Sequence, residues 1–194
     1  MKGIISNMGL GEEIYNHYVE FFGEPDFRYV YSINDKLPTI QILQWNHVME
    51  GCVVFGTLGV SHYKDNIGNL CEVITVVDAE DVEGISEIIP NALFASAEYE
   101  MLIDDYKACS GLERLDNNFY DMHEKSGIYF SYPFMFPEEF SMICNEQEHI
   151  RFLMAVFITQ KEFDYYKNNG AEKLEDLWES KEVDVFCINR KDVI

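Results

Sequence analysis

Hydrophobic positions recur along this chain with two periods. In "LGEEIYNHYVEFFGEP", Ile14, Tyr18, Phe21 and Phe22 stand at helical spacing, acids occupy the first turn, and Gly23 and Pro25 follow. That stretch predicts a helix. "RYVYSI" and, after Pro38, "TIQILQW" concentrate strand formers, with Asn34 and Asp35 turning the chain between them. "GCVVFGTLGV" predicts a third strand and "NLCEVITVV" a fourth. Val and Ile on both faces of the fourth place it centrally in a sheet.

Helical spacing returns from Val82 to Tyr106 through Ile85, Ile88, Ile89, Leu93, Ala97, Met101 and Leu102, with Pro90 marking an early turn or break. Leu112 to Lys125 lacks a period and reads as loop. "SGIYFSYPFMFPEEFSMI" predicts one or two short strands interrupted by Pro133 and Pro137, and "HIRFLMAVFI" one long strand. Thr159 and Glu162 form a capping box opening "QKEFDYYKNN", which Gly170 stops. A short helix "EKLEDLWES" and a last strand "VDVFCI" complete the pattern. Runs of strands separated by helices predict an α+β fold: one domain over residues 1–194, a mixed, mostly antiparallel β-sheet with flanking helices.

Composition adds a strong electrostatic statement. Thirty-five acidic residues against fourteen basic ones give a net charge of −21. Such a surface repels nucleic acid and anionic membranes, because phosphate binding needs Lys and Arg, and it attracts basic partners. Acidity for solubility alone is the plainer alternative. No apolar run approaches the ~18 residues of a membrane helix. The N-terminal "MKGIISNMGLGEEIYNHYVE" turns acidic early, so no secretory signal is visible and a cytoplasmic location is expected. Cys52, Cys71, Cys109, Cys144 and Cys187 show no CxxC spacing, which argues against disulfides and zinc.

Candidate chemistry concentrates in "GTLGVSHYKDNIGNLCEVI". Ser61 lacks the G-x-S-x-G elbow of hydrolases, and on extended backbone His62 points to the opposite face. "KDNIGN" favours tight turning, so a β-hairpin joining Val60 to Leu70 explains the stretch better than a catalytic triad. Glu72, mid-strand, should reach a sheet edge, pair with a base or serve binding. His17, His47, His62, His123 and His149 show no metal-binding spacing, and Gly56 and Gly59 no phosphate loop. "DAEDVE", "YEMLIDDY" and "KLEDLWE" read as solvated helix faces. In "IYFSYPFMFPEEF" the rings either fill the core or form an exposed aromatic interface.

Three segments carry a resemblance. They are the strand ending in Thr57, Gly59 and Ser61, followed by a strand bearing Glu72; the turn "ITQKEFDYYKNNG"; and the closing "VDVFCINRKDVI" with Asn189 and Arg190. Over residues 37–194 the sequence resembles the suppressor-of-fused-like domain family in its single-domain bacterial form. The resemblance implies a non-catalytic binding protein without cofactors. Bacterial members are similar to immunity proteins or antitoxins that neutralise polymorphic toxins, often nucleases; animal relatives bind a transcription factor. The chain lacks room for the second domain of those animal relatives.

The expected function is therefore a cytoplasmic immunity protein that binds a cognate, basic toxin through an acidic surface. Expected contacts are Asp78, Glu80, Asp81 and Glu83, with His62, Tyr63 and Asp65 at the hairpin tip, and Glu72. Arg190 reads as a structural counter-ion, with Glu72 as its partner. A regulatory scaffold for a peptide or transcription factor is the alternative, and a hydrolase ranks third.

Overall fold

Residues 9–32, 38–64, 68–88, 91, 103–110, 117–144 and 149–194 are described by a computed structural model. The expected turn at Asn34 and Asp35, the hairpin-tip residue Asp65, Pro90 and most of the 82–106 helix lie outside them. Helix α1 (Leu10–Phe22) buries Ile14, Tyr18 and Phe22, places Glu12 and Glu13 at its N-terminal end, and stops at Gly23 with φ 76°.

The strands are β1 (Phe27–Tyr31), β2 (Ile40–Trp45), β3 (Cys52–Leu58), β4 (Cys71–Asp78), β5 (Lys107–Ser110), β6 (Gly127–Ser131), β7 (Met142–Cys144) and β8 (His149–Ile158). They form one sheet in the order β1-β2-β3-β4-β8-β6-β5, with β7 also beside β8. Among the described strands only β4 and β8 run parallel; the other pairs are antiparallel. The expected mixed α+β sheet is what forms. β4 holds its middle and is buried from Cys71 to Val77. β7 lines the start of β8 and β6 its end, so Pro133 and Pro137 fall between two strands sharing one side of β8. There a missing N–H costs no ladder bond.

Both faces of the sheet are covered. Ile42, Phe55, Val73, Leu153 and Phe157 pack on one face with Ile85, Ile88, Ile103 and Ile188. Leu43, Val54, Ile74 and Met154 pack on the other with α1 and with Leu174 and Trp178 of the C-terminal helices. Those helices are α3 (Gln160–Asn169) and α4 (Ala171–Ser180), after a short α2 (Asn117–His123) earlier in the chain. α1 lies close against β3: a Cβ on Gly56 would stand 2.9 Å from the Tyr18 ring.

Four expectations need correction. Residues 103–106, expected to end a helix, are not helical, and Lys107–Ser110 after them, where no element was expected, is an edge strand. Its four residues are too few to show a period. Asn117–His123 is helical rather than loop; of its side chains from Tyr120 onward only His123 is buried, so no apolar repeat marks it. "VDVFCI" forms no strand. Asp184 Oδ1 accepts the Phe186 N–H at 3.0 Å, and a single backbone bond, Asp78 N–H to Phe186 O, ties the segment to the sheet. The β-hairpin expected around Val60 to Leu70 forms, since β3 and β4 pair antiparallel, but its arms stop at Leu58 and resume at Cys71, and its connector contains a 3-10 turn, Val60–Tyr63.

The capping box at Thr159 and Glu162 forms as expected and does more than cap. Glu162, fully buried, accepts from Thr159 N at 2.8 Å and from the Trp178 indole at 2.9 Å, and pairs with Arg190 at 2.9 Å. Arg190 is thus a structural counter-ion, with Glu162 rather than Glu72 as its partner.

Candidate functional site

The connector between β3 and β4 is built on a carboxylate. Gly59 adopts φ +115°, and a Cβ there would meet Thr39 O at 2.6 Å, so only glycine fits without strain. That conformation turns three successive N–H groups inward. Glu72, with no exposed surface, accepts from Gly59 N at 3.0 Å, Val60 N at 3.2 Å and Ser61 N at 3.1 Å. It also accepts from Thr57 Oγ1 at 2.6 Å. Burial pushes the Glu72 carboxyl above its ordinary range, against the pull of these donors. Glu72 is therefore an internal anchor rather than a surface contact, a correction to its place among the expected contacts.

The same geometry separates Ser61 from His62. Ser61 is buried and His62 exposed on successive residues of the 3-10 turn, so the pair does not converge. Tyr63 is also buried, its hydroxyl donating to Pro38 O at 2.6 Å. Of the described residues expected at the tip, His62 is the one left facing solvent.

Asp78, Glu80, Asp81 and Glu83 gather at the other end of β4. Asp78 is the last of the eight residues of β4, which sets this group about 23 Å from the connector's end of the strand at the usual rise. The expected contacts thus fall into two groups that no small ligand could bridge. Glu80 and Glu83 are exposed, Asp78 is half-buried and Asp81 buried. The Asp81 N–H bonds to Asp78 O at 2.9 Å. Asp81 also accepts from the Asn189 side chain, whose Oδ1 lies 2.9 Å from His123 Nδ1. Ligand atoms of Asp78, Asp81 and Cys187 lie within 4.8 Å of one another. Burial and the Asp184 and Asp81 charges raise the Asp78 carboxyl; burial and the charges of Asp78, Asp81 and Asp184 raise the Cys187 thiol, which hydrogen-bonds Asp78. This is a closed contact that ties the C-terminal segment to the end of β4.

The aromatic run divides between both readings. Tyr129 and Phe130 are buried on opposite faces of the covered sheet, and Phe140 is buried among Phe22, Phe136 and Phe152. Phe134 is 54% exposed at the tip between β6 and β7. It borders a groove of about 740 Å³ along α4, whose walls include Tyr106, Tyr129, Tyr132 and Trp178. Sequence reasoning missed this groove, because its residues come from four separated stretches. The signal it had was "KLEDLWE": a tryptophan within an otherwise acidic helix.

Comparison with known proteins gives these features a context. The sequence pattern of the suppressor of fused protein (SUFU) family matches residues 36–191. The chain is 26% identical over 179 residues to Immunity protein YqcF of Bacillus subtilis (strain 168), spanning 90% of this chain and 91% of that one. Its structure is similar to the crystal structure of a SUFU homologue from Neisseria gonorrhoeae FA 1090. That likeness has a TM-score of 0.73 and 20% identity, covering 95% of this chain and 96% of the other. A chain of the Sufu–Fu complex crystal structure is similar at a TM-score of 0.60 and 8% identity, over 90% and 84%. With the family pattern running through the connector, the sheet and the closing Arg190 segment, the chain belongs to the suppressor of fused family.

Proposed function

We propose that this chain is a non-catalytic immunity protein, which neutralises a cognate toxin in the cytoplasm by binding it directly. The observation that carries the reading is the similarity to an immunity protein across nine-tenths of both chains. The net charge of −21 gives it chemical direction: the toxin is basic, as a nuclease must be to hold phosphates. Exposed Glu80 and Glu83, backed by Asp78 and Asp81, present carboxylates where such a toxin would present its own anion-binding side chains. Exposed His62 offers a second contact at the far end of β4. Ser61 and His62 serve shape rather than bond-making. Co-expression with the polypeptide encoded immediately upstream is the test. Rescue of growth supports the reading, and continued killing despite abundant folded protein contradicts it.

A second reading rests on a different observation. β1 is an edge strand with Phe27 52% and Val30 63% exposed, and among the described residues no strand pairs its outer side. A regulatory partner could add an extended segment there. Proline substitution at Val30 would abolish such binding while leaving binding at the acidic end of β4 intact.

A further inference from the structure

The groove along α4 has a composition that specifies its occupant. Its accessible rings are Tyr106 and Phe134, about half exposed, and half-buried Tyr132, beside Val156, Val183 and Val185 and the buried Tyr129 and Trp178. Its acidic side is Glu172, Glu175, Asp176, Glu179 and Glu182, and among the described residues no lysine or arginine lines it. The polar ends of the inner rings are occupied internally. The Trp178 indole N–H donates to Glu162 at 2.9 Å, and the Tyr129 hydroxyl donates to Glu175 at 2.8 Å. What an incoming group meets is therefore apolar carbon, much of it aromatic, beside carboxylates. Among the described residues, Asp176 alone of these acids has a basic partner, Lys173 at 2.9 Å, and that pair is solvent-exposed.

We propose that this groove docks one basic side chain of the protein partner, an arginine by preference. Its methylene stem lies on the rings and its guanidinium sits among the carboxylates beside them. An apolar stem with a delocalised cation at its end matches apolar, partly aromatic carbon beside carboxylates, and a planar guanidinium stacks on rings where an ammonium cannot. A neutral apolar side chain would leave the carboxylates unanswered. A free anion would be repelled. The inference rests on the reading that the partner is a basic protein, and it names the point at which that partner is gripped.

The test uses the full chain and a defined probe, the tripeptide Ac-Ala-Arg-Ala-NH2, followed by tryptophan fluorescence at low salt. Trp178 reports on the groove, whereas Trp45 is fully buried in the core. We expect saturable binding that weakens about fivefold or more with the isosteric citrulline peptide, which keeps the shape and loses the charge. The variant E172Q/E179Q/E182Q, changed only at exposed positions, should weaken binding about fivefold. E20Q/E138Q/E139Q, with the same change in net charge on exposed sites elsewhere, should stay within about twofold. Equal binding of the two peptides, equal loss in the two variants, or no binding overturns the proposal. Toxin rescue without peptide binding overturns the groove alone; peptide binding without toxin rescue overturns the immunity reading and leaves the groove standing.

Discussion

A carboxylate placed in mid-strand with no exposed surface must be matched by donors, and Glu72 has four, three of them backbone N–H groups. Replacing it by leucine leaves those donors facing carbon. An unsatisfied buried polar group costs about 1–3 kcal/mol, and removing the buried charge offsets part of the sum. E72L should therefore lose about 3 kcal/mol in urea unfolding, and a loss below about 1 kcal/mol would contradict the anchor role. His62→Ala, at an exposed neighbour, should leave stability within about 0.5 kcal/mol. Asp104 gives a pH-dependent case. Burial raises its carboxyl, but the Arg151 hydrogen bond at 2.7 Å and its charge outweigh that and hold it below the ordinary value. The Asp104 contribution is present above the ordinary carboxylate range and lost as pH falls through the lowered value. Thermal midpoints of the chain and D104N should differ at pH 7 and converge only as the pH falls past the ordinary carboxylate value and through the lowered one. A constant gap down to strong acid would contradict it. The pair is partly exposed, so the gap is small.

Among the elements, the end of β8, α3, α4 and the C-terminal segment meet at Glu162. Arg190 is 6% exposed and Glu162 not at all, so removing one partner strands a buried charge. R190A should lose about 3–5 kcal/mol, and E162Q/R190M should lose much less than the two single changes combined. Additive losses in chemical denaturation would mean the two residues act separately. This network also shows what the sequence made legible. The capping box needs only residues three apart, so Thr159 and Glu162 were readable, and so were the long apolar runs of β4 and β8. Arg190 as a structural counter-ion was readable from the scarcity of bases. Its partner was not, because Glu162 and Glu72 are both buried acids and only the chain path decides between them. β5 and α2 were hidden by brevity, and the role of Glu72 by a left-handed turn at Gly59, thirteen residues before it. The groove was the least legible feature, since neither Tyr106 nor Phe134 is near Trp178 in sequence.

At the scale of the whole molecule, a net charge of −21 on a chain whose sheet is buried on both faces makes a strong negative field with a rigid support. A field of this sign accelerates capture of a basic protein and is screened by salt over roughly 10 Å at 0.1 M. Reversing Glu80 and Glu83 to lysine should slow association about tenfold while leaving the melting temperature nearly unchanged, since both side chains are exposed. The most direct measurement of the central claim is stopped-flow association of the purified chain with the polypeptide encoded immediately upstream, made from about 0.05 to 0.5 M NaCl. One-to-one binding whose association rate falls by about tenfold or more across that range is the predicted result. Absence of binding at every salt concentration, or an association rate indifferent to salt, would contradict the account.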